Sequence, residues 1–431
     1  MRRINIGLIG LGNIGCGVVK ILQQRRSLIA QKIGIEILIK RICDKDILAK
    51  RDVRLDKDCL SRNVNDVLDD PQIDIVVELI GGIDPARDFI LGALKKGKHV
   101  VTANKALLAE HGNELFAVAA ERGKNIYFEA SVGAGIPIIK SIKEGLVANK
   151  FSSVFGIVNG TSNYVLTQMS KENCSLSSAI KSAQNKGFAE KNPTLDIEGV
   201  DSAHKLALLT YLAFGKIVAL KDIFIEGISQ ISSADIAYAK DLGYEIKLLA
   251  IAKKEADELE VRVHPTLLPR EHLLSSVDGV FNAIYATSDL AGALMFYGPG
   301  AGQLSAASGV VSDIVDLTQD IKAGLFRPTL NSIEDSSIKG LRKIDEFENR
   351  YYIRIMAVDK PGVLAKISGI LSKFGISIAS VTQKERLQSR VVPVVMVTHE
   401  VKEKNMRLAL KMIDKLQEIK DKSVAIRIEG V

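Results

Sequence analysis

The sequence predicts an α/β protein: an N-terminal doubly wound parallel sheet, a mixed α+β middle and a C-terminal βαββαβ unit. Three observations predict it. Over the first third, short apolar runs alternate with helical patterns, the rhythm of strands covered on both faces. After Gly135 the strands have short connections and few crossover helices. Residues 350–431 then read strand, helix, strand, strand, helix, strand, enough for a unit that folds alone.

The elements follow in order. Ile4–Ile9 reads as a buried strand, Asn13–Gln31 as a helix, and Ile35–Ile42 as the second strand. Ile73–Ile80 is a further strand, and Phe89–Lys96 a helix closed by Gly97. His99–Thr102, the helix Leu107–Arg122 closed by Gly123, and Ile126–Glu129 complete the first domain, expected at 1–135. Pro137 sits where a helix tolerates proline, at its first turn. The middle domain, 136–302, has strands at Val154–Val158, Ile246–Ala252, Leu259–Val263, Val280–Ala286 and Ala293–Tyr297, with helices at Leu176–Lys186 and Asp201–Ala213. A glycine-rich turn, Gly298–Gly302, leads into a helix at Ser305–Thr318, and a helix at about 303–325 completes the first domain. Residues 326–349, polar throughout, read as a linker. In the last unit the elements are Tyr352–Ala357, Val363–Phe374, Ile376–Gln383, Val391–Thr398, Lys402–Leu416 and Ser423–Ile428.

Composition narrows the class. At 431 residues, 47% hydrophobic and 25% charged, the chain has material for two or three cores and is no disordered segment. Its four cysteines form neither a C-x-x-C nor a Cys/His cluster, so a zinc module or disulfide framework is not expected and a reducing cytoplasm fits. No run reaches the ~18 apolar residues of a membrane span, and the N-terminus reads as a strand rather than a signal peptide. The net charge of +7 comes without a Lys/Arg run interleaved with aromatics. Nucleic acid and membrane are therefore not expected partners, whereas anionic small molecules are.

Gly10-Leu-Gly12-Asn13-Ile14-Gly15 follows a strand and opens a helix, the context a dinucleotide fingerprint requires. Gly10 permits the tight turn, Gly12 lets backbone approach the pyrophosphate, and Gly15 lets helix and strand pack closely. The helix N-terminus offers free N–H groups to phosphate. Asp44 is the candidate for reading the ribose and favours NAD; Arg41 and Lys57 could hold a 2′-phosphate and favour NADP, or be solvated surface cations. The choice stays open.

Thr102-Ala-Asn-Lys105 follows a strand of the parallel sheet, so Lys105 stands at the carboxyl edge where such sheets bind ligands; on pattern alone a surface lysine is the more common outcome. Asp201 and Lys205, four apart, share a helix face that continues into Leu208 and Leu212. An ion pair in partly apolar surroundings marks a candidate site, although spacing alone favours a surface salt bridge. His204 points elsewhere on that helix and is read as structural or supporting.

The stretch Ala183 to Lys205, with Gly187, Glu190, Pro193, Asp196, Gly199 and Asp201 in register, closely resembles the signature of homoserine dehydrogenases. Val-Thr-Ala-Asn-Lys105, Glu129-Ala-Ser-Val132-Gly-Ala134-Gly-Ile136-Pro, Asn159-Gly160-Thr161-Ser-Asn163 and Gly300-Ala-Gly302-Gln resemble the same family in the same order, over residues 4 to about 320. Residues 350–431, with Asp359-Lys-Pro-Gly362-Val363-Leu364, resemble an ACT module. The resemblance implies a Rossmann-type nucleotide domain and a ferredoxin-like C-terminal domain. It implies NAD(P)-linked interconversion of L-homoserine and L-aspartate 4-semialdehyde, in threonine, methionine and isoleucine biosynthesis.

By the same resemblance Lys205 is the proton donor in aldehyde reduction, with Lys105 as a second catalytic lysine that also meets the cofactor. Glu190, Asp201, Asp196, Gly160 and Thr161 serve the substrate. Gly10, Gly12, Asn13, Ile14, Gly15, Thr102, Gly187 and Gly302 serve the cofactor. Glu129, Val132, Ala134 and Ile136 correspond to a sodium site built partly from backbone carbonyls. Asp359, Gly362, Val363, Leu364 and Gln383 are the candidate contacts for a regulatory amino acid, expected to be L-threonine as feedback inhibitor. A homodimer or homotetramer is expected.

Chemistry agrees with these roles. Hydride reaching an aldehyde carbon builds negative charge on oxygen, which a fixed cation stabilises and a proton must follow. A second ammonium and partial burial would lower the ordinary lysine pKa of ~10.4, so alcohol oxidation is expected to quicken at alkaline pH. The substrate ammonium needs carboxylates, which Glu190 and Asp201 supply. Two other readings remain: another NAD(P)-dependent amino-acid oxidoreductase, and a non-catalytic sensor of NAD(P) and an amino acid.

Overall fold

The computed structural model describes residues 2–326, 337–383 and 391–430. The chain divides into two compact units. The first takes the residues up to Gly160, Ala203–Lys221 and the chain from Val280; the second takes Thr161–Ser202, Asp222–Gly279 and the C-terminal residues.

In the first unit β1 (Arg2–Ile9), β2 (Ile35–Cys43), β3 (Leu60–Ser61), β4 (Ile75–Glu78), β5 (His99–Thr102) and β6 (Ile126–Tyr127) form a parallel sheet in the order 3-2-1-4-5-6. All four residues of β4 and of β5 are buried, as helices on both faces require. The order reverses between β1 and β4, the switch point at which such sheets bind ligands. The expected first helix is two, α1 (Asn13–Gln24) and α2 (Arg26–Ile33), separated at Arg25. α2 buries no residue fully, and meets the core only through the half-buried Ile29 and Ile33. The strand expected at Ile126–Glu129 ends at Tyr127, and Glu129–Ser131 is a 3₁₀ turn. Beside this sheet lies an antiparallel trio, β7 (Phe151–Ile157) paired with Phe281–Ser288, which pairs with Gly292–Pro299.

Three more helices matter for the site: α3 (Lys105–Glu121), α4 (Val200–Phe214) and α5 (Gln303–Ala323). α5 buries Ala307, Val310, Ile314 and Leu317 in the same core as Ile6, Leu8 and Val18. It crosses α1 at Gly17, where an added Cβ would lie 2.8 Å from the Ala307 Cβ. Only glycine admits so close an approach.

In the second unit β8 (Tyr244–Glu255) pairs antiparallel with β9 (Glu258–Pro269). The C-terminal module comprises β10 (Glu348–Val358), α6 (Val363–Lys373), β11 (Ile378–Thr382), β12 (Val391–Thr398), α7 (Glu403–Ile413) and β13 (Val424–Ile428). Its strands run in the order β13-β10-β12-β11, and β13 joins β9 in parallel. Residues 327–336 of the expected linker lie outside the described residues. The remainder is structured: Gly340–Leu341 pairs with Glu258–Leu259, and Phe347 is buried beneath the Arg262 guanidinium.

Two of the longer helices escaped the sequence reading. Gly160–Glu172 begins Gly-Thr-Ser-Asn and is buried over most of its length, so neither propensity nor an amphipathic stripe reveals it. Ser233–Asp241 carries a capping box between Ser232 and Asp235, a signal that could have found it.

Candidate active site

The glycine turn fits a dinucleotide. Gly10 adopts φ +99°, and the oxygen of its carbonyl lies 2.2 Å from where a Cβ on Gly15 would stand. Before Gly12, by contrast, a Cβ would meet nothing within 4 Å, an open cradle at the N-terminus of α1. Gly15→Ala is thus expected to push the turn out of shape. Overpacking of about 1–3 kcal/mol corresponds to roughly 5- to 150-fold in dinucleotide affinity. A fluorescence titration with reduced dinucleotide measures it, and unchanged affinity would contradict the close packing.

Asp44 follows β2 and turns back on the glycine turn. Its carboxylate accepts the Leu11 N–H at 2.6 Å, the Asp46 N–H at 2.9 Å and Arg51 Nη2 at 3.0 Å. Arg51 also donates Nε to the Leu11 carbonyl at 2.9 Å. Sequence reasoning missed Arg51, one cation among several there with nothing local to single it out. Arg41 is half-buried and donates to the Asp58 carbonyl, while Lys57 is exposed. Asn13 accepts from Gln303 Nε2 at 3.0 Å, so the first residue of α1 is tied to the first of α5. Ile14 packs against the core, and Gly302 precedes α5 at φ +125°.

Lys105 is the first residue of α3, whose cap is Asn104: its side chain accepts the Leu107 N–H at 3.2 Å. The Thr102 side chain is buried. Lys205 is only 8% exposed, and its Nζ donates to the Val158 carbonyl, just after β7, at 2.7 Å. Both lysines lie in the first compact unit. Asp201, one turn earlier on α4, is equally buried. The solvated salt bridge that spacing favoured is therefore excluded. His204 is buried, with Nε2 3.7 Å from Glu110 Oε1.

In the second unit, Glu190 is exposed between two helices, where Gln184 Nε2 binds its carbonyl at 3.1 Å. Gly187, at φ +74°, ends the helix Leu176–Asn185. Asp196 is half-buried in the short helix Thr194–Ile197. Thr161 Oγ1 donates to the Phe188 carbonyl at 2.8 Å. Gly160, in the first unit, backs on Val280, whose carbonyl oxygen would stand 2.9 Å from an added Cβ.

The loop after β6 turns sharply, with Gly133 at φ +70° and Ala134 at +56°. The Glu129 carboxylate accepts the Ile139 and Lys140 N–H groups, each at 2.8 Å, and the Glu129 N–H donates to Asp313 at 2.7 Å. Burial pushes the Glu129 pKa up to about 7, against the pull of the two amides. Val132 and Ile136 are buried beside it. Among the described residues no group of three His, Cys, Asp or Glu side chains could hold a metal ion, so a cation here would rest on backbone oxygens. In the C-terminal module Gly362 takes φ +89° and caps α6, Val363 is core, and Leu364 and Gln383 are exposed. Asp359 is half-buried at the end of β10.

Residues 10–129 match the NAD-binding domain of homoserine dehydrogenase, 137–315 the homoserine dehydrogenase domain and 351–418 the ACT domain. The homoserine dehydrogenase of Bacillus subtilis (strain 168) is 40% identical over 432 residues, covering 100% of this chain and 99% of that protein. A crystal structure of the enzyme from Thiobacillus denitrificans aligns at TM-score 0.91 and 41% identity, covering 100% of this chain and 99% of that one. A hyperthermophilic archaeal homoserine dehydrogenase mutant in complex with NADPH aligns at TM-score 0.63 and 26% identity over 73% of this chain and 98% of that one. No helix among the described residues is long and apolar enough to cross a membrane. With a nucleotide-binding turn at the switch point and full-length similarity to enzymes of one activity, the chain belongs to the homoserine dehydrogenase family, as an NAD(P)-linked oxidoreductase followed by an ACT domain.

Proposed function

We propose that the chain interconverts L-homoserine and L-aspartate 4-semialdehyde, with Lys205 as proton donor in the reductive direction. One observation carries this reading: the Lys205 ammonium is buried and held at 2.7 Å by the Val158 carbonyl. A lysine so fixed cannot sweep through solvent, and it presents its remaining N–H groups in set directions. The bound dinucleotide supplies or accepts the hydride. Lys205 offsets charge on the substrate oxygen and moves its proton, with Lys105 as the second cation. Glu190, Asp196 and Asp201 hold the amino-acid end of the substrate, with Gly160 and Thr161 shaping the backbone there. Gly187 and Gly302 serve the cofactor.

The occupied Asp44 carboxylate argues for a dinucleotide carrying a 2′-phosphate, with Arg41 and Lys57 as its partners. A structural sodium ion would rest on the carbonyls of Glu129, Val132, Ala134 and Ile136, because the Glu129 carboxylate already accepts two amides. The C-terminal module binds L-threonine through Asp359, Gly362, Val363, Leu364 and Gln383. Strand β11, which ends the sheet with Val381 exposed, supports assembly into a homodimer or homotetramer. The cytoplasm is the expected compartment.

Steady-state oxidation of homoserine tests the reading. NADP is expected to give a kcat/KM at least about tenfold above NAD, a difference of ~1.4 kcal/mol, and threonine is expected to inhibit. No turnover with either dinucleotide would favour the sensor reading; equal use of both would remove the role given to Arg41 and Lys57.

A further inference from the structure

Glu78 ends β4 at the carboxyl edge of the parallel sheet, and it is fully buried. A carboxylate survives in such a place only when donors surround it. Oε1 accepts the Ile80 N–H at 2.8 Å and the Gly81 N–H at 3.3 Å, and Oε2 accepts the Thr102 hydroxyl at 2.7 Å. Burial pushes the Glu78 carboxyl up, and these donors pull it back.

The bonds continue into a ring. The Thr102 oxygen accepts the Asn104 N–H at 3.0 Å. Asn104 Nδ2 donates to the Gly82 carbonyl at 2.6 Å, which returns the chain of contacts to the loop that Glu78 holds. Asn104 is also the cap of α3, and Lys105 is the next residue. The same loop touches the nucleotide turn, since a Cβ on Gly10 would stand 2.9 Å from the Ile80 nitrogen. One buried carboxylate therefore braces the loop after β4, the turn at Gly10 and the start of α3.

We propose that Glu78 is a positioning residue for the reaction, fixing through Thr102 and Asn104 the direction in which Lys105 leaves α3. This rests on the reading of Lys105 as a participant in the chemistry. The physical reason is geometric: catalysis by a positioned group falls steeply when that group moves by a fraction of an ångström to an ångström. No feature of local sequence marks Glu78, because the side-chain donor that completes its shell, Thr102, comes from the next strand of the sheet.

A double-mutant cycle tests it. Glu78→Gln keeps the volume, removes the charge and cannot accept the Thr102 proton as the carboxylate does. It is expected to lower kcat about 10- to 100-fold with the homoserine KM within about twofold, and to retain reduced dinucleotide by fluorescence titration. Combined with Lys105→Ala, it is expected to add nothing to the loss from Lys105→Ala alone. Multiplying losses would overturn the proposal and leave Lys105 in place. Wild-type turnover in Lys105→Ala would overturn the reading of Lys105, and the proposal with it. Should Glu78→Gln fail to fold, Thr102→Val breaks the same ring isosterically and Thr102→Ser keeps the hydroxyl. The expected result is a loss in the first and recovery in the second; equal kcat values in the two would refute the ring.

Discussion

Lys205→Ala is expected to lower kcat for homoserine oxidation about 1000-fold, roughly 4 kcal/mol of transition-state stabilisation. Two effects combine. Proton transfer by a positioned group contributes roughly 10²–10⁴-fold, and a fixed donor facing a developing oxyanion roughly 10²–10³-fold; one lysine supplies both, so the losses overlap. Its position comes from α4, which buries the methylene stem, and from the Val158 carbonyl, which holds the ammonium at 2.7 Å. Because the glycine turn belongs to other elements, dinucleotide binding is expected to persist. Lys205→Arg is expected to rescue little: its planar fork cannot replace a compact ammonium seated on one carbonyl. Stopped-flow and steady-state rates with a parallel binding titration measure this. Turnover within tenfold of the parent would remove Lys205 from the chemistry.

Arg427→Leu is expected to destabilise the second unit by about 3–5 kcal/mol, the range for removing one partner of a buried ion pair. Arg427 is 4% exposed on β13, and its guanidinium meets both Glu403 oxygens, at 2.9 and 2.7 Å, in a bidentate pair. Its third nitrogen reaches Glu226 at 2.8 Å, outside the C-terminal module, and Tyr351 donates to Glu403 at 2.5 Å. Burial alone would lower the arginine pKa, but the Glu403 and Glu226 charges raise it, so the cation persists at every pH the protein meets. Without it, Glu403 stays buried with a tyrosine as its remaining strong donor. The unfolding midpoint is expected to fall by at least ~5 °C. The paired change Arg427→Met with Glu403→Leu is expected to recover much of that loss, because two matched apolar groups leave no charge stranded. A single variant that melts with the parent, or a pair worse than the single, would contradict the account.

What each source of information could reach follows from the range of the interactions. The local sequence determined the alternation of strands and helices in the first sheet, since apolar stretches such as Ile75–Val77 report burial on both faces. It determined the nucleotide turn, whose glycines answer to backbone geometry within six residues, and the βαββαβ order of the last unit. Residue patterns along the chain, matched to a family signature, also pointed to Lys205 and Lys105. The tertiary structure alone decided the rest. The helix Gly160–Glu172 is held by burial on most sides, against its own propensity. Asp44 lies against Leu11 and Arg51, and Glu129 serves the amides of residues ten and eleven positions later. Glu78 and Arg427 became visible as buried charges only when the fold brought partners from other segments onto them, the Thr102 hydroxyl for the first and the Glu403 and Glu226 carboxylates for the second. Hydrogen bonds and ion pairs of that kind leave no period in the sequence, because desolvation acts on neighbours in space and not on neighbours along the chain.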